Sequence, residues 1–351
     1  MVIESHKGPY RVRFFENPAV AVATIAEDNA HYIIDQRVTA LHKDALASIL
    51  RTGSVLQLEA TERAKSLDRF PAYVAHLVAN GLRRDHCLVA IGGGIIQDIT
   101  CFLAANMLRG VDWRFVPTTL LAQADSCIGS KSSINAGGAK NILGTFTPPR
   151  EIALSPAFLS TLGEVDLQSG IGEILKVHAI AGPGAYDAVA RDYQTLFTDP
   201  LLLLAYIRRA LEIKKAYIEI DEFDRKERNI FNYGHSFGHA IEAATDFGVP
   251  HGVAVTIGMD IANFIALRIS RNKGTFARMH PGLRLNYHGF EKTAVPLDAF
   301  LTALGKDKKN VGNRLTVILP DENDIPAKHQ LANDATLRGL CGEFLDSVRA
   351  E

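Results

Sequence analysis

Residues 87–98 read CLVAIGGGIIQD, and this stretch determines the fold class that the sequence predicts. The apolar residues 87–91 have the composition of a buried strand, and a run of three glycines joins them to a helical pattern. Such a turn lets backbone N–H groups approach a phosphate at the start of a helix. The run lacks the GxGxxG spacing of a dinucleotide fingerprint, so on its own it fits phosphate binding and an ordinary strand-to-helix turn equally well.

Strand and helix patterns alternate through the first half of the chain. The strand patterns cover residues 12–15, 30–35, 54–58 and 87–91, and the helical patterns cover residues 40–51 and 67–80. This alternation is typical of a parallel sheet covered by helices. We therefore predict an α/β, Rossmann-like nucleotide-binding domain over residues 1–157.

Long helical patterns replace the strand patterns after about residue 159. They cover residues 171–181, 201–222, 228–246 and 254–271. One late segment, residues 313–319, has the composition of a strand and would belong to a small hairpin or to no sheet. We predict a mainly α-helical domain over residues 158–351.

The composition excludes several classes of protein. Of the 351 residues 47% are hydrophobic and 22% are charged, and the net charge is −1, which leaves no broad basic surface for nucleic acid. The four cysteines form no CxxC pair and are expected to be buried free thiols in a reducing compartment. The first ten residues lack a secretion signal, and the apolar runs are too short or too mixed to span a membrane, so we expect a cytoplasmic protein.

Polar and charged residues follow two of the predicted strands. Asp35 ends the second strand pattern, and Glu62 and Lys65 follow the third. These side chains could bind the ribose and adenine side of a nucleotide, or they could form the solvated rim that is usual at strand ends.

Residues 228–251, RNIFNYGHSFGHAIEAATDFGVPH, place polar side chains at helical spacing. If the helix begins at residue 228, one face carries Arg228, Asn232, His235 and His239. Two imidazoles one turn apart can share a divalent ion, and a third ligand from elsewhere would leave a position open for substrate. His251 follows a Gly-Val-Pro break that should turn the chain back.

Two glycines inside this pattern, Gly234 and Gly238, each cost a helix about 1 kcal/mol and suggest a close backbone or a nearby ligand. An HxxxH pair also occurs by chance on many helices, so the spacing alone does not establish a metal site. Ser236 and Phe237 stand where HExxH needs glutamate, which excludes a zincin-type protease.

Residues 121–146, LAQADSCIGSKSSINAGGAKNILGTF, are rich in small residues. Their charged residues are Asp125, Lys131 and Lys140. This is the composition of a chain that folds over a polar ligand, although solvated surface loops look similar.

Taken in order, these stretches resemble the 3-dehydroquinate synthase family of sugar phosphate cyclases. The resemblance covers residues 30–310 and rests on the glycine run with Asp98, FVPTTLLAQADSCIGSK at 115–131, GAKNILGTF at 138–146, GIGEILK at 170–176, and NYGHSFGHAIE at 232–242 followed by HG. It implies an NAD-binding domain, a helical metal-binding domain, and a bound Zn²⁺ or Co²⁺.

The resemblance also assigns residues to the site. It makes Glu173, His235 and His251 the zinc ligands and places His239 beside the metal. The implied NAD-binding residues are Asp35, Glu62, Lys65, Gly93, Gly94, Asp98, Thr118, Thr119, Lys140, Phe158, Thr161, Leu162 and Asp166, the last standing where the family usually has glutamate. The implied substrate-binding and catalytic residues are Arg109, Asp125, Lys131, Lys140, Asn141, Lys176, Lys214, Arg228, Asn232, His239 and Lys308.

Arg109 would reach in from the second subunit of a homodimer. Lys214 and Lys308 each adjoin another lysine, so a solvated helix face or turn is the alternative for both. The scattered cations suit a sugar phosphate that also carries a carboxylate, because such a substrate brings about three negative charges.

The implied reaction converts 3-deoxy-arabino-heptulosonate 7-phosphate to 3-dehydroquinate and phosphate, in the shikimate pathway. It proceeds by transient oxidation with NAD, phosphate elimination, reduction and aldol closure, and we expect the two domains to close over the site. Departures from the family at residues 132–133 and 136–138 leave open a cyclase of secondary metabolism that acts on sedoheptulose 7-phosphate. A metal-dependent polyol dehydrogenase would share the architecture but release NADH, and a non-enzymatic binding protein would not need the metal ligands.

Overall fold

The computed structural model describes residues 1–51, 54–272, 274–307, 309–310, 312 and 314–349. The chain divides into two compact units. The first unit comprises Met1–Gly163 and Lys214–Asp224, and the second comprises Glu164–Ile213 and Arg225–Glu351. The boundary between residues 157 and 158 stays a prediction.

The first unit is built on a seven-stranded sheet. Its strands are β1 (Val2–Ile3), β2 (Tyr10–Phe14), β3 (Ala30–Asp35), β4 (Val55–Leu58), β5 (Cys87–Gly92), β6 (Asp112–Pro117) and β9 (Glu151–Leu154), in the spatial order β1-β2-β9-β6-β5-β3-β4. Only the β1–β2 pair is antiparallel within this sheet. The predicted mainly parallel sheet is confirmed.

Helices and a small ribbon complete this unit. They are α1 (Pro18–Ile25), α2 (Gln36–Leu41), α3 (Phe70–Ala79), α4 (Gly94–Asn106) and the antiparallel pair β7 (Ile134–Ala136) and β8 (Ala139–Leu143). The central strand β5 is buried at every residue because helices cover both faces of a parallel sheet. Each fully buried Leu, Val or Ile there contributes about 1.5–3 kcal/mol to stability.

The second unit is mainly helical, as predicted. Its elements are α5 (Glu164–Ala181), α6 (Pro183–Asp192), the first part of α7 (Pro200–Ile220), α8 (His235–Ala244), α9 (His251–Arg268), α10 (Thr275–Asn286), α11 (Leu297–Gly305), β10 (Arg314–Pro320), β11 (Pro326–Ala332) and α12 (Ala335–Glu343). Helix α9 is buried all round from Gly252 to Ala266, because α5, α8 and α10 pack against it. The late strand prediction is confirmed as the hairpin β10–β11.

Two helix predictions are wrong in part. The helix predicted over 40–51 is absent beyond Leu41, where α2 ends, and turns follow with a mixture of i→i−3 and i→i−4 hydrogen bonds. Leu46 and Ile49 still reach the core from these turns, which is why their spacing resembled that of a helix. The helix predicted from residue 228 begins only at His235. Gly234 has a φ of +76°, and a side chain there would meet Val255 O at 2.4 Å, so packing against α9 breaks the helix.

The four cysteines are buried free thiols, as predicted. Among the described residues, none of the helices combines the length and the apolar character needed to cross a membrane.

Candidate active site

Four side chains of the second unit converge between three packed helices. Glu173 lies on α5, His235 and His239 lie one turn apart on α8, and His251 is the first residue of α9. One ligand atom from each histidine lies within 4.8 Å of those of the other two. Glu173 Oε1 lies 3.4 Å from His251 Nε2 and 3.7 Å from His235 Nε2. The structure therefore brings the three predicted zinc ligands and His239 together.

Glu173 is a carboxylate in an almost fully buried position, with 1% of its surface exposed. Its neighbour one turn on, Lys176, is 2% exposed and forms an ion pair with Oε2. Neither carboxylate oxygen has a hydrogen bond of good geometry within the described part of the chain. Oε2 is compensated by Lys176, whereas Oε1 faces the rings of His235 and His251, and a buried carboxylate oxygen is costly unless a positive charge lies beside it.

The carboxylates beside His251 favour positive charge at its ring. Burial would lower the pKa of this imidazole, but Glu173 and Glu242 outweigh it and raise the pKa to about 10. Burial and Lys176 hold the pKa of His235 well below its usual value. Desolvation by the surrounding protein, with the nearby His251, lowers the pKa of His239 to about 4, although its side chain is the most accessible of the three. His235 and His239 are thus neutral near pH 7, the state in which imidazole binds metal.

Glu242 was missed by the sequence analysis. Its Oε2 lies 3.1 Å from His251 Nδ1, on the opposite side of the ring from Glu173. A carboxylate that holds the second nitrogen of a histidine ligand fixes the ring and raises its basicity. The signal was present, because Glu242 lies in the quoted NYGHSFGHAIE motif two turns after His235.

The donor set fits a divalent metal. A buried carboxylate and two or three imidazoles in one cluster are ligands that zinc and cobalt accept, and Glu173 Oε1, which faces two of the histidines, can bind a cation on that side. The residues themselves therefore support the prediction of a metal site.

Other predicted residues of the second unit lie on nearby chain. Arg228 is buried in the 3₁₀ turn Glu227–Asn232, and Asn232 Oδ1 accepts a hydrogen bond of 3.3 Å from Lys309 Nζ. Asp166 is exposed in the first turn of α5. Lys308 falls outside the described residues.

The predicted cofactor residues of the first unit gather at one edge of the sheet. Asp35 ends β3, Gly93 and Gly94 follow β5, and Thr118 and Thr119 follow β6, so all lie at the carboxyl ends of neighbouring parallel strands. A side chain on Gly93 would lie 2.9 Å from Thr119 Cγ2. This is where open α/β sheets bind ligands, and the absence of a side chain leaves the backbone accessible.

Asp98, one turn into α4, anchors a second group of predicted cofactor residues. Its Oδ2 accepts a hydrogen bond of 3.0 Å from Lys65 Nζ. Glu62 Oε1 lies 3.7 Å from Lys65 Nζ, and Glu62 Oε2 lies 3.9 Å from Lys140 Nζ. The structure thus joins four of the residues that the resemblance assigns to NAD.

The segment before α5 holds three more of these residues. Phe158 and Thr161 lie in the 3₁₀ segment Pro156–Thr161, which Leu162 follows. The ring of His42 packs edge-on against Phe158, with centroids 4.9 Å apart, and its Nε2 lies 2.9 Å from Thr161 Oγ1. His42 carried no recognisable motif in the sequence, and only the tertiary contact places it here.

Two predicted substrate lysines of the first unit are held by carboxylates. Lys214 Nζ donates to Asp125 O at 2.6 Å and lies 3.2 Å from Asp125 Oδ1. Lys131 forms an ion pair with Asp224, a residue that the sequence analysis did not single out. Each lysine thus adjoins an acidic group within the same unit.

Asn141 and Arg109 share an unusual backbone conformation, with φ values of +52° and +67°. Asn141 N donates to Asn135 Oδ1 at 2.9 Å. Arg109 is exposed after α4, and no hydrogen bond or ion pair joins it to the other predicted site residues that the structure describes.

Comparison with known proteins gives one family. Residues 55–169 match the 3-dehydroquinate synthase N-terminal family, and residues 170–310 match the 3-dehydroquinate synthase C-terminal family. The 3-dehydroquinate synthase of Xylella fastidiosa (strain M12) is 33% identical, over 90% of this chain and 92% of that protein. That of Xanthomonas oryzae pv. oryzae (strain PXO99A) is 36% identical, over 75% of this chain and 74% of that protein.

Solved structures share the fold. The 2-epi-5-epi-valiolone synthase ValA of Streptomyces hygroscopicus subsp. jinggangensis 5008, with NAD⁺ and Zn²⁺ bound, has a TM-score of 0.85 at 25% identity over 97% of both chains. A 2-deoxy-scyllo-inosose synthase in complex with carbaglucose-6-phosphate, NAD⁺ and Co²⁺ has a TM-score of 0.84 at 23% identity over 98% of both chains. From the family matches and the sequence identities, this chain belongs to the 3-dehydroquinate synthase family.

Proposed function

We propose that this chain converts 3-deoxy-arabino-heptulosonate 7-phosphate to 3-dehydroquinate and phosphate, a carbon–oxygen lyase reaction with ring closure. Its relatives of 33–36% identity carry the name of that activity. The observation that carries the proposal is the cluster of Glu173, which is buried, with His235 and His251 in a chain of this family.

Glu173, His235 and His251 would hold Zn²⁺, or Co²⁺ in its place, and the glycine edge of the sheet would hold NAD. Once bound, NAD supplies reversible uptake of the carbon 5 hydride, and the metal supplies polarisation of the oxygens on carbons 4 and 5. Structural relatives contain both NAD⁺ and Zn²⁺ or Co²⁺. The thirteen NAD-binding residues named from the resemblance, Asp166 included, are part of this proposal.

His239 and Asp125 are the proposed relay for the proton that leaves the carbon 5 hydroxyl. His239 is neutral near pH 7, because its pKa is about 4, so it can accept a proton. Lys176, next to Glu173, would hold a substrate oxygen. The ketone formed at carbon 5 acidifies carbon 6, which permits the elimination of phosphate.

The remaining predicted residues, six cations and two asparagines, would bind the charged ends of the substrate. Their proposed roles are to hold the carboxylate (Arg228, Asn232, Lys308) and the phosphate (Arg109, Lys131, Lys140, Asn141, Lys214). Arg228 is 6% exposed, and a buried guanidinium recognises a carboxylate well, because it is always charged and offers paired donors.

Phosphate release with the purified, zinc-loaded protein and catalytic NAD tests the function. The assay compares 3-deoxy-arabino-heptulosonate 7-phosphate with sedoheptulose 7-phosphate, and mass spectrometry identifies the product. Turnover of the first substrate without accumulation of NADH supports the proposal. Turnover of sedoheptulose 7-phosphate alone would assign the chain to the cyclases of secondary metabolism, and net NADH would indicate a polyol dehydrogenase.

We further propose a cytoplasmic homodimer in which Arg109 completes the site of the second subunit. The exposed position of Arg109 and its lack of a bond to the other site residues described here support this role. Arg109→Ala and Lys214→Ala should each be nearly inactive, and their mixture after subunit exchange should regain about a quarter of the sites, the share expected when two subunits combine at random. A mixture that stays inactive although light scattering shows mixed dimers would contradict the role of Arg109.

A further inference from the structure

Residues 130–147 form a two-stranded ribbon, here called the lysine ribbon, that carries Lys131, Lys140 and Asn141. At its base, Thr147 N donates to Ser130 O at 2.6 Å and Ser132 N donates to Thr145 O at 3.0 Å. At its tip, Gly137 and Gly138 have φ values of +57° and +77° between the paired residues Ala136 and Ala139. Two positive φ values define the tight turn that best matches strand twist, so the unusual sequence at 136–138 forms a two-residue hairpin turn.

Ser133 ties this ribbon to the cofactor edge of the sheet. Its backbone N–H donates to Asp98 Oδ1 at 2.9 Å, and its hydroxyl donates to Asp98 Oδ2 at 3.1 Å. The adjacent Ser132 points elsewhere, because its hydroxyl lies 2.9 Å from Thr145 Oγ1 within the ribbon. Of the two serines that depart from the family pattern, one is bound to a predicted NAD residue and the other is not.

The hydrogen bonds from Ser133 occupy part of the acceptor capacity of the Asp98 carboxylate. An ionised carboxylate offers about four such positions, two on each oxygen. Lys65 Nζ and the Ser133 hydroxyl occupy both on Oδ2, and the Ser133 N–H occupies one on Oδ1. One position on Oδ1 remains for a donor, which suits a ligand hydroxyl such as one of a ribose.

A second contact, at Asn135, joins the ribbon to the same edge. Its side-chain amide donates to Glu62 Oε2 at 2.8 Å, and its backbone N–H donates to Lys65 O at 3.0 Å. Its Oδ1 accepts from the backbone of Asn141 on the outer strand β8. All five residues of β8 are exposed, and the pairing with β7 and these hydrogen bonds contribute to its order.

We propose that Ser133 is a positioning residue that couples NAD binding to the order of the lysine ribbon. The inference rests on the proposed NAD site and extends it. Ser133 and the cofactor would both hydrogen-bond to the carboxylate of Asp98. Bound NAD would therefore hold Asp98 in the position at which Ser133 binds it. In turn, an ordered ribbon would hold Asp98 in the orientation that binds NAD. Coupling of this kind is reciprocal, so the affinity for NAD and the order of the ribbon rise and fall together.

The test compares Ser133→Ala with the matched control Ser132→Ala and the rescue variant Ser133→Thr, which keeps a hydroxyl. Calorimetric titration with NAD, without sugar phosphate, gives Kd, and hydrogen exchange of the amides in 134–143 reports ribbon order. We expect Ser133→Ala to raise the Kd for NAD by roughly 3- to 10-fold, the effect of losing one hydrogen bond to a charged, partly exposed group. NAD should slow exchange in the ribbon of the wild type, of Ser132→Ala and of Ser133→Thr, and much less in Ser133→Ala.

The outcomes separate this inference from the function on which it rests. If wild-type protein shows no NAD binding, the proposed cofactor is wrong and the inference falls with it. If wild type binds NAD and Ser133→Ala matches it in both Kd and ribbon protection, the inference alone is overturned. Equal losses in Ser132→Ala and Ser133→Ala would also overturn it, because a general loosening of the ribbon would then explain both.

Discussion

Replacing Gly252 by alanine tests whether the packing of α5 on α9 builds the metal cluster. A Cβ at this position would lie 1.7 Å from Ser169 O and 2.6 Å from Ser169 C, whereas ordinary contact begins at 3.4 Å. Both clashing atoms are backbone and cannot move aside by rotation, so the helices must separate by on the order of 1.5 Å. Overpacking typically costs about 1–3 kcal/mol, and a backbone clash belongs at the upper end, about 3 kcal/mol.

This separation should affect both stability and metal binding. In a unit of this size, each kcal/mol lowers the unfolding temperature by about 2–4 °C, so a loss of about 3 kcal/mol predicts a fall of about 6–12 °C. Glu173 lies on α5 and His251 precedes Gly252 on α9, so their 3.4 Å separation should grow with the distance between the helices. Zinc affinity should fall in parallel, because ligand geometry tolerates only a few tenths of an ångström.

Scanning calorimetry and zinc analysis of the purified variants measure the two effects. Gly184→Ala in α6 is the matched control, because no atom lies within 4 Å of the added methyl group. An exposed helical glycine replaced by alanine should gain about 0.5–1 kcal/mol. A Gly252→Ala protein that unfolds within about 2 °C of wild type and retains its zinc would refute the argument that this contact positions the cluster.

Two further predictions concern carboxylates that are buried or half-buried. Glu173→Gln should lose zinc on purification. Glu242→Gln should keep zinc but bind it roughly 10- to 100-fold more weakly than wild type in chelator competition, because Glu242 acts through His251. Equal zinc affinity of the two variants would contradict these roles. Burial would raise the pKa of Glu222, but hydrogen bonds from Ser5 and His6 outweigh it and hold the pKa below 4.5. A carboxyl with a lowered folded-state pKa stabilises the fold above its unfolded value, and this contribution is lost as the pH falls through the folded value. Urea denaturation should therefore give wild type a higher free energy of unfolding than Glu222→Gln, by an amount that is constant near neutral pH and shrinks below pH 4.5. A difference in free energy that does not change with pH would contradict this role of Glu222.

The sequence predicts the fold best where burial on both faces dominates. The strand prediction at 30–35 agrees with β3 at both ends, because a continuous apolar run ends in the polar Asp35. The strands β6 and β9 were not predicted. Their sequences, DWRFVP and EIAL, are short or carry charge and proline, and their pairing with neighbours that are distant in sequence determines them.

Local sequence cannot show where one helix must yield to another. By helix propensity, Gly234 weakens a helix by only about 1 kcal/mol and need not end it. The sequence analysis therefore predicted one continuous helix, with Arg228, Asn232 and His235 on the same face. The structure places residues 227–232 in a 3₁₀ turn and begins α8 at His235, because α9 leaves no room for a side chain at 234. The histidines keep their helical spacing, whereas Arg228 and Asn232 reach their positions by a different backbone path.

Charge supports the proposed division of the four converging groups into three metal ligands and one group that meets the substrate. A catalytic zinc keeps three protein ligands and an open position, so one of the four groups must stay off the ion. Three imidazoles would leave a divalent charge uncompensated in a site that already contains the buried Lys176, and Glu173 Oε1, which faces His235 and His251, would be left out of the metal's coordination. Placing Glu173 on the metal removes both costs at once. His239 is the most exposed of the three histidines, so it is the one whose ring a substrate can reach, and we propose it as the proton carrier although its spacing from His235 would suit a ligand.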